Sequence, residues 1–133
     1  MFRLSILILI LDATSTSTQA TESGLNKRQF NKFWRVESES PGYRVTFRGD
    51  TCEILSPNGL TLWRKEKMHQ DMTVEYDAYV VDEGKDGDRL SDMNCFWLAS
   101  DPKTKDLWAR AGWRSGIFVR CYTLQMYYLG YGG

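Results

Sequence analysis

The sequence predicts an all-β domain in which antiparallel strands form a sandwich or jelly roll. Downstream of about residue 33, short runs enriched in Val, Tyr, Phe, Trp and Thr alternate with turn signals at roughly regular intervals. Helical periodicity is weak throughout, so about six strands follow one another without helical crossovers. Parallel strands need such crossovers, and their absence therefore favours antiparallel pairing.

The first predicted strands form a hairpin. Side chains alternate along residues 43–47, the Arg-Gly-Asp sequence at 48–50 predicts a turn, and residues 52–55 form the returning strand. The Ser-Pro-Asn-Gly sequence at 56–59 contains strong turn formers and ends that strand. Residues 60–66 then form a third strand.

Four further strands are predicted in the second half of the chain. They comprise residues 72–81, 93–99, 117–122 and 124–129. In the first of these, alternation directs one set of side chains to the core, namely Met72, Val74, Tyr76, Ala78 and Val80.

The end of the sequence bears on whether the domain is complete. The last predicted strand is as apolar as a central strand, yet only four residues follow Leu129. An uncovered apolar edge of this kind promotes aggregation. We therefore expect the β-domain to be incomplete at its C-terminus.

Charge and aromatic content restrict the partners. The chain has 17 basic and 17 acidic residues, so it has no net positive field to attract nucleic acid. Its five Trp and seven Tyr residues are expected in a β core or on a surface that stacks against a flat ligand.

The N-terminus predicts export. Arg3 precedes the apolar run 4–11, and a small, polar stretch follows up to Ala20, which is the pattern of a signal peptide. The run is shorter than the roughly 20 apolar residues that a membrane-spanning helix needs. We expect a signal peptide at 1–20, a lead-in segment at 21–32 and a partial jelly-roll domain at 33–133. The processed protein would be secreted or periplasmic, without a membrane span.

Cysteine and histidine usage favours no metal site. Cys52, Cys95 and Cys121 are an odd number of thiols, either buried as small apolar residues or including one disulfide. The absence of a CxxC motif and the single histidine, His69, argue against a zinc site. No cofactor is predicted; the acidic loop 82–88 is a weak calcium candidate, with a solvated turn as the alternative.

The segment that ends at Trp97 carries the first candidate ligand residues. Strand alternation places Asp92, Asn94 and Phe96 on one face, and Trp97 on the other. Flat aromatic rings contact the C–H face of a sugar, while Asp and Asn side chains hydrogen-bond its hydroxyl groups. Asp92, Asn94 and Trp97 are therefore predicted to bind glycan. The alternative is that the polar residues cap turns.

Arg64 and the tyrosines are candidates for an acidic sugar. Arg64, with Lys65, could pair with uronate carboxylates, or could lie on a solvated strand balanced by Glu66. Tyr127 and Tyr128 are expected on opposite faces of the last strand, so at most one faces the ligand. Tyr128 is the ligand-binding candidate, and tyrosine is also a possible acid or base in β-elimination.

A pair of carboxylates offers a hydrolytic alternative. Glu75 and Asp77 are two residues apart on one predicted strand face, an arrangement that suits glycoside hydrolysis. This spacing is common by chance, which favours the alternative that both residues lie on the polar face of a half-exposed strand. His69 receives no catalytic role.

Five segments together resemble a known family: WRVE at 34–37, GLTLWRKE at 59–66, VEYDA at 74–78, DRLSDMNCFWLASD at 88–101 and YYLGYGG at 127–133. They are similar to a bacterial family of exported domains of unknown function, which resembles a branch of the concanavalin A-like lectin/glucanase superfamily. The resemblance implies a jelly roll, a relation to proteins of rhamnogalacturonan-degradation loci, and family members that continue beyond Tyr-Gly-Gly.

Three functions remain open at this point. The first is an exported carbohydrate-binding or accessory module acting on plant-type, pectic polysaccharide. The second is a jelly-roll polysaccharide lyase or glycoside hydrolase, and the third is a structural surface protein without a glycan ligand. The sequence leaves open the glycan and its linkage, catalysis, calcium dependence, disulfide pairing and the oligomeric state.

Overall fold

The computed structural model describes residues 2–7, 26–49, 51–67, 76–84 and 93–131. Within these residues the chain forms eight strands and three short helices, and every strand pair is antiparallel. The predicted all-β class with antiparallel pairing is therefore confirmed. The sandwich arrangement stays a prediction.

The elements follow in this order: β1 (Phe2–Leu7), α1 (Lys27–Phe33), β2 (Trp34–Ser38), β3 (Arg44–Arg48), β4 (Thr51–Ser56), β5 (Leu60–Arg64), β6 (Asp77–Val80), β7 (Met93–Ser100), α2 (Ala111–Arg114), α3 (Phe118–Cys121) and β8 (Gln125–Tyr131). They form a four-stranded sheet in the order β3-β4-β1-β6 and two two-stranded sheets, β2-β5 and β7-β8. None of the described helices is long and apolar enough to cross a membrane.

The predicted hairpin is confirmed as β3 and β4. Val45 lies opposite Ile54, and Phe47 lies opposite Cys52. Alternate residues of β4 are buried, as expected for a strand with one face on the core. The predicted strands at 60–66, 93–99 and 124–129 correspond to β5, β7 and β8.

The predicted strand at 72–81 is described only from Tyr76 onward. In β6, Ala78 and Val80 are less exposed than Asp77 and Tyr79, so this part has the predicted orientation. The earlier part, with Met72, Val74 and Glu75, lies outside the described residues.

The strand predicted at 117–122 is wrong, because Phe118–Cys121 forms helix α3. Ser115 and Gly116 have φ angles of +47° and +71°, so the chain turns sharply immediately before this segment. The β-branched and aromatic residues had suggested a strand. Burial of Cys121 within a short helical turn outweighs that weak local preference.

Two hydrophobic clusters lie on opposite sides of the β2-β5 sheet, which we call the middle sheet. Side chains alternate along β5, so Leu60 and Leu62 join one cluster and Trp63 joins the other. The first core cluster comprises Phe30, Cys52 and Ile54 with Trp34, Val36, Val45, Phe47, Leu60 and Leu62. The second comprises Trp63, Cys121 and Leu124 with Phe96, Ala99, Leu107, Trp108 and Met126.

The N-terminal part contributes two elements. Strand β1 pairs with both β4 and β6, and it lies within the predicted signal peptide. Helix α1 lies across the end of the predicted lead-in segment and begins with a capping box, in which Asn26 and Gln29 exchange side chain to backbone hydrogen bonds. Its Phe30 contacts Phe47 edge to face, at 5.5 Å between ring centroids. The assignment of 1–20 as a signal peptide stays a prediction.

Candidate functional site

The β7-β8 sheet, which we call the aromatic ribbon, carries most of the candidate residues. Phe96 lies opposite Tyr128, and Trp97 lies opposite Tyr127. Residues opposite each other in an antiparallel pair share a face of the sheet. Tyr127 and Tyr128 therefore point to opposite faces, as predicted.

One face of the aromatic ribbon presents a stacked pair of rings to solvent. Trp97 and Tyr127 have ring centroids 5.6 Å apart and an interplanar angle of 14°. Their exposed fractions are 44% for Trp97 and 61% for Tyr127. In this stacked pair each ring covers part of the other's inner face, the outer face of each ring remains open to solvent, and the mutual contact holds both rings in place. We call this pair the outer stack.

The opposite face attaches the ribbon to the middle sheet. Phe96 stacks on Trp63 with centroids 5.8 Å apart and on Tyr128 with centroids 5.6 Å apart. Phe118 of α3 approaches both Phe96 and Tyr128, at 6.1 Å and 5.9 Å. Burial of one side of this aromatic cluster orients Tyr128, whose outer part remains exposed.

A hydrogen bond joins two of the predicted site residues on that face. The hydroxyl group of Tyr128 donates to Oδ1 of Asn94 over 2.8 Å. Gly130 lies opposite Asn94, and a Cβ atom at Gly130 would be 2.5 Å from the Tyr128 hydroxyl oxygen. The absence of a side chain at Gly130 therefore leaves room for the Tyr128 ring to extend from β8 to Asn94 on β7.

The structure brings only some of the predicted residues together. Asn94 and Tyr128 are in contact, whereas Trp97 lies on the other face of the same ribbon. Arg64 lies on β5, on the face opposite Trp63, with its guanidinium 5.3 Å from the Phe33 ring centroid.

The other candidates are placed as follows. Arg64 also forms an ion pair with Glu66 at 3.6 Å, which fits the alternative of a balanced strand surface. The ammonium group of Lys65 donates to the Asn31 carbonyl oxygen over 2.6 Å, so it holds the end of α1. Asp77 is exposed at the start of β6. Asp92, Glu75 and His69 lie outside the described residues.

Sequence reasoning missed a buried charge network beside the second core cluster, where the Arg114 guanidinium lies 5.6 Å from the Trp63 ring centroid. Arg114 is fully buried, and it donates from Nε and Nη2 to the two carboxylate oxygens of Glu37, over 3.1 Å and 2.7 Å. This bidentate pair joins helix α2 to strand β2. The two residues are 77 positions apart, so no local pattern indicates the contact.

Asp101 extends the network toward the surface. Its carboxylate accepts two hydrogen bonds from Nη1 of Arg110, over 3.2 Å and 3.1 Å, and lies 3.9 Å from Nη1 of Arg114. Charges thus alternate from Arg110 through Asp101 and Arg114 to Glu37. The network holds the end of β7, helix α2 and β2 together, so the long β7–β8 connection has a fixed base.

The pKa of Asp101 lies below its usual value. Burial of the carboxyl group opposes ionisation and by itself would raise the pKa. The hydrogen bond from the Lys103 amide and the positive charges of Arg110 and Arg114 outweigh that effect and lower the pKa.

We expect acid to weaken the fold through Asp101. As pH falls below about 4, the unfolded chain takes up this proton before the folded protein does. The stabilisation is therefore complete above the unfolded-state pKa and is lost as pH falls through the lower folded-state pKa. Urea unfolding between about pH 6 and about pH 2 should show this loss. Asp101→Asn should flatten the profile, whereas Asp77→Asn, at an exposed position, should not; equal profiles would contradict the assignment.

The cysteines are unpaired and two of them are buried. Cys52 lies in the first core cluster, where burial raises its pKa to about 11. Burial, with the nearby Glu37 carboxylate, also raises the pKa of Cys121. Both thiols are therefore protonated and unreactive at neutral pH.

The described residues offer no assembled metal site. No group of three or more His, Cys, Asp or Glu side chains in this part of the chain is arranged to hold an ion. In the calcium candidate loop, the Asp82 carboxylate accepts a hydrogen bond from the Gly84 amide over 3.1 Å. Residues 85–88 of that loop lie outside the described residues.

Comparisons with known proteins identify a family. No curated protein and no solved structure matches the chain. A family described as a domain of unknown function, DUF6250, matches residues 54–133, from within β4 to the end of the sequence. This region includes the whole aromatic ribbon and the β7–β8 connection, and it is more than half of the chain. The chain therefore belongs to the DUF6250 family.

Proposed function

We propose that this protein is a carbohydrate-binding or accessory module that recognises polysaccharide through the aromatic ribbon. The observation that carries the proposal is the outer stack of Trp97 and Tyr127, two nearly parallel rings exposed to solvent. The C–H face of a pyranose is apolar and fits against such rings, which are already held in a fixed geometry.

Asn94 and Tyr128 supply polar contacts on the other face of the ribbon. The Tyr128 hydroxyl donates to Asn94, so the Asn94 amide group and the free lone pairs of the phenol are available to sugar hydroxyl groups. Both side chains are fixed by packing and by this hydrogen bond. Fixed polar groups favour specific binding, because little side-chain entropy is lost when the ligand binds.

Binding is favoured over elimination chemistry by the position of the charges. A lyase requires a cation close to its base, to neutralise the uronate carboxylate. Arg64, the predicted cation, contacts Phe33 and Glu66, on the side of β5 facing away from Trp63. Among the described residues, Tyr128 instead contacts aromatic rings and an amide.

We further propose that the ligand is a plant-type, pectic polysaccharide and that the protein acts outside the cytoplasm. The first part is supported by the resemblance to proteins of rhamnogalacturonan-degradation loci and to the concanavalin A-like superfamily. The second is supported by the apolar run at 4–11 and the small, polar residues that follow it. Because part of this run forms β1, export requires that the run be recognised before the chain folds.

Replacing Trp97 with alanine is expected to weaken binding to pectic polysaccharide about tenfold, since an aromatic stacking contact contributes on the order of 1 kcal/mol beyond its buried area. Affinity electrophoresis in gels containing the polysaccharide measures the change. Tyr79→Ala is the matched control, because Tyr79 is an exposed aromatic residue on β6, outside the aromatic ribbon.

The same samples separate the module from an enzyme. Retention of the wild-type protein without any increase in the absorbance of unsaturated uronate supports a binding module. An increase in that absorbance would show that the protein is a lyase and would contradict the binding-module proposal. Equal retention of the Trp97→Ala and wild-type proteins would show that the outer stack does not contribute to binding.

A further inference from the structure

A second combination of aromatic and charged groups lies in the β7–β8 connection. The Trp113 side chain is 44% exposed and has two guanidinium groups against its ring. The Cζ atoms of Arg110 and Arg120 lie 4.3 Å and 5.2 Å from the ring centroid. Arg120 also donates from Nη1 to the Trp113 carbonyl oxygen. The ring and both cations are therefore fixed relative to one another.

The charges in this segment are unequal. The connection, residues 101–124, contains five basic residues and two acidic residues, Asp101 and Asp106. Arg110 is neutralised by Asp101, and Arg114 by Glu37. Within the described part of the chain, the ion pairs do not include Arg120. Since the whole chain has no net charge, this surplus is a local property of the connection.

The two arginines beside Trp113 differ in what they can do. The Arg110 side chain is 17% exposed and bound to Asp101, so its guanidinium group is anchored where it contacts the ring. Arg120 is partly exposed on α3, and its carbonyl contact uses one of the five N–H groups of a guanidinium. Among the described residues no other hydrogen-bond acceptor contacts the Arg120 guanidinium, so its remaining N–H groups can form the two parallel hydrogen bonds that a carboxylate accepts.

We propose that Trp113 and Arg120 form a subsite for a carboxylate-bearing sugar, which makes the module selective for anionic glycans. This rests on the proposed carbohydrate-binding function and adds the charge class of the ligand. Arg120 binds the uronate carboxylate, the exposed part of the Trp113 ring contacts the sugar beside it, and Arg110 positions that ring.

The subsite is separate from the outer stack. Helix α3 carries Phe118, which contacts Tyr128 on the inner face of the aromatic ribbon, and Arg120, which contacts Trp113. The outer stack of Trp97 and Tyr127 occupies the opposite face of that ribbon. Substitutions in one site therefore leave the other intact, and the two contributions can be measured independently.

The test compares two forms of one polymer. Polygalacturonate carries free carboxylates, and its fully methyl-esterified form has the same backbone without the charge. Isothermal titration of the full chain should show tighter binding to polygalacturonate, and this preference should decrease as salt is added. Arg120→Gln should weaken polygalacturonate binding about tenfold and leave binding to the esterified polymer unchanged. Arg120→Lys, which keeps the charge, should retain part of the preference.

The controls and the possible results distinguish the carboxylate subsite from the proposed carbohydrate-binding function. Arg48→Gln, at an exposed arginine on β3, should keep the wild-type preference, and circular dichroism confirms that each variant is folded. Equal binding of the two polymers by the wild-type protein, or an unchanged preference in Arg120→Gln, overturns the subsite while leaving the outer stack in place. Loss of esterified-polymer binding in Trp97→Ala supports the proposed function alone. Failure to bind either polymer overturns both proposals.

Discussion

Replacing Arg114 with alanine is expected to lower the free energy of unfolding by about 3–5 kcal/mol, because one partner of a buried ion pair is removed. Arg114 is fully buried and donates two hydrogen bonds to Glu37. Without it, the buried Glu37 carboxylate keeps neither the Arg114 charge nor these two donors. Urea unfolding followed by tryptophan fluorescence measures the loss.

Two further variants sharpen the Arg114 test. Arg44→Ala removes an exposed arginine on β3 and should change stability by no more than about 0.5 kcal/mol. Combining Glu37→Gln with Arg114→Met should cost less than the sum of the single changes, because neither partner then leaves a buried charge unpaired. Additive losses, or a loss below about 1 kcal/mol for Arg114→Ala, would contradict the assigned role of the pair.

Replacing Gly116 with alanine is expected to destabilise the protein by about 3 kcal/mol, from backbone strain and overpacking together. Gly116 has a φ of +71°, which an L-residue rarely adopts. In addition, a Cβ atom there would lie 2.4 Å from the carbonyl oxygen of Glu37 and 2.9 Å from Cα of Ser38. These are backbone atoms of β2, so relief requires a strand or the α2–α3 turn to move.

Gly84 provides a control that separates the two causes. It has the same φ of +71°, but none of the described residues has an atom within 4 Å of the position that its Cβ would occupy. Gly84→Ala should therefore cost only the conformational penalty, about 1 kcal/mol. Thermal and urea unfolding of both variants gives the comparison. Equal losses would show that the close approach between Gly116 and β2 contributes nothing.

Strand positions and faces could be predicted because they depend on local pattern. The β3-β4 hairpin followed from alternating side chains on both sides of a Gly-containing turn. In the aromatic ribbon, period-two alternation separated Asn94 and Phe96 from Trp97, and the structure has that arrangement. These features are determined by residues close together in the chain, and a single sequence contains that information.

Contacts between distant segments could not be predicted in this way. Strands β2 and β5 form a sheet whose two faces are covered by different core clusters, and these clusters include residues far away in the chain. Glu37 and Arg114, which form a salt bridge, are 77 positions apart. Helix α3 was missed because Ile117 to Tyr122 is rich in residues that favour strands. Its conformation is determined by the turn before it and by burial of Cys121 in a core that distant elements complete.

The candidate site also contains residues that a local pattern indicates and contacts that no local pattern indicates. Asn94, Trp97 and Tyr128 could be selected from residue type and alternation, whereas Arg64 was selected for its charge alone and lies against Phe33. The contacts of the Trp113 ring with Arg110 and Arg120 have no local sequence signal. Arg120 reaches this ring because the chain turns at Ser115 and Gly116, between α2 and α3.

The middle sheet joins residues on both sides of the N-terminal boundary of the family match. Strand β5 lies inside the matched region, 54–133, and its partner β2 lies outside it. A fragment that starts at Ile54 keeps β5 and Arg114, but it lacks β2, and with it the strand partner of one and the carboxylate of the other. Such a fragment carries an uncompensated arginine and an unsatisfied strand edge. A gene fragment for expression, or a recombination event that transfers this domain, must therefore include β2 together with the region that the family model matches.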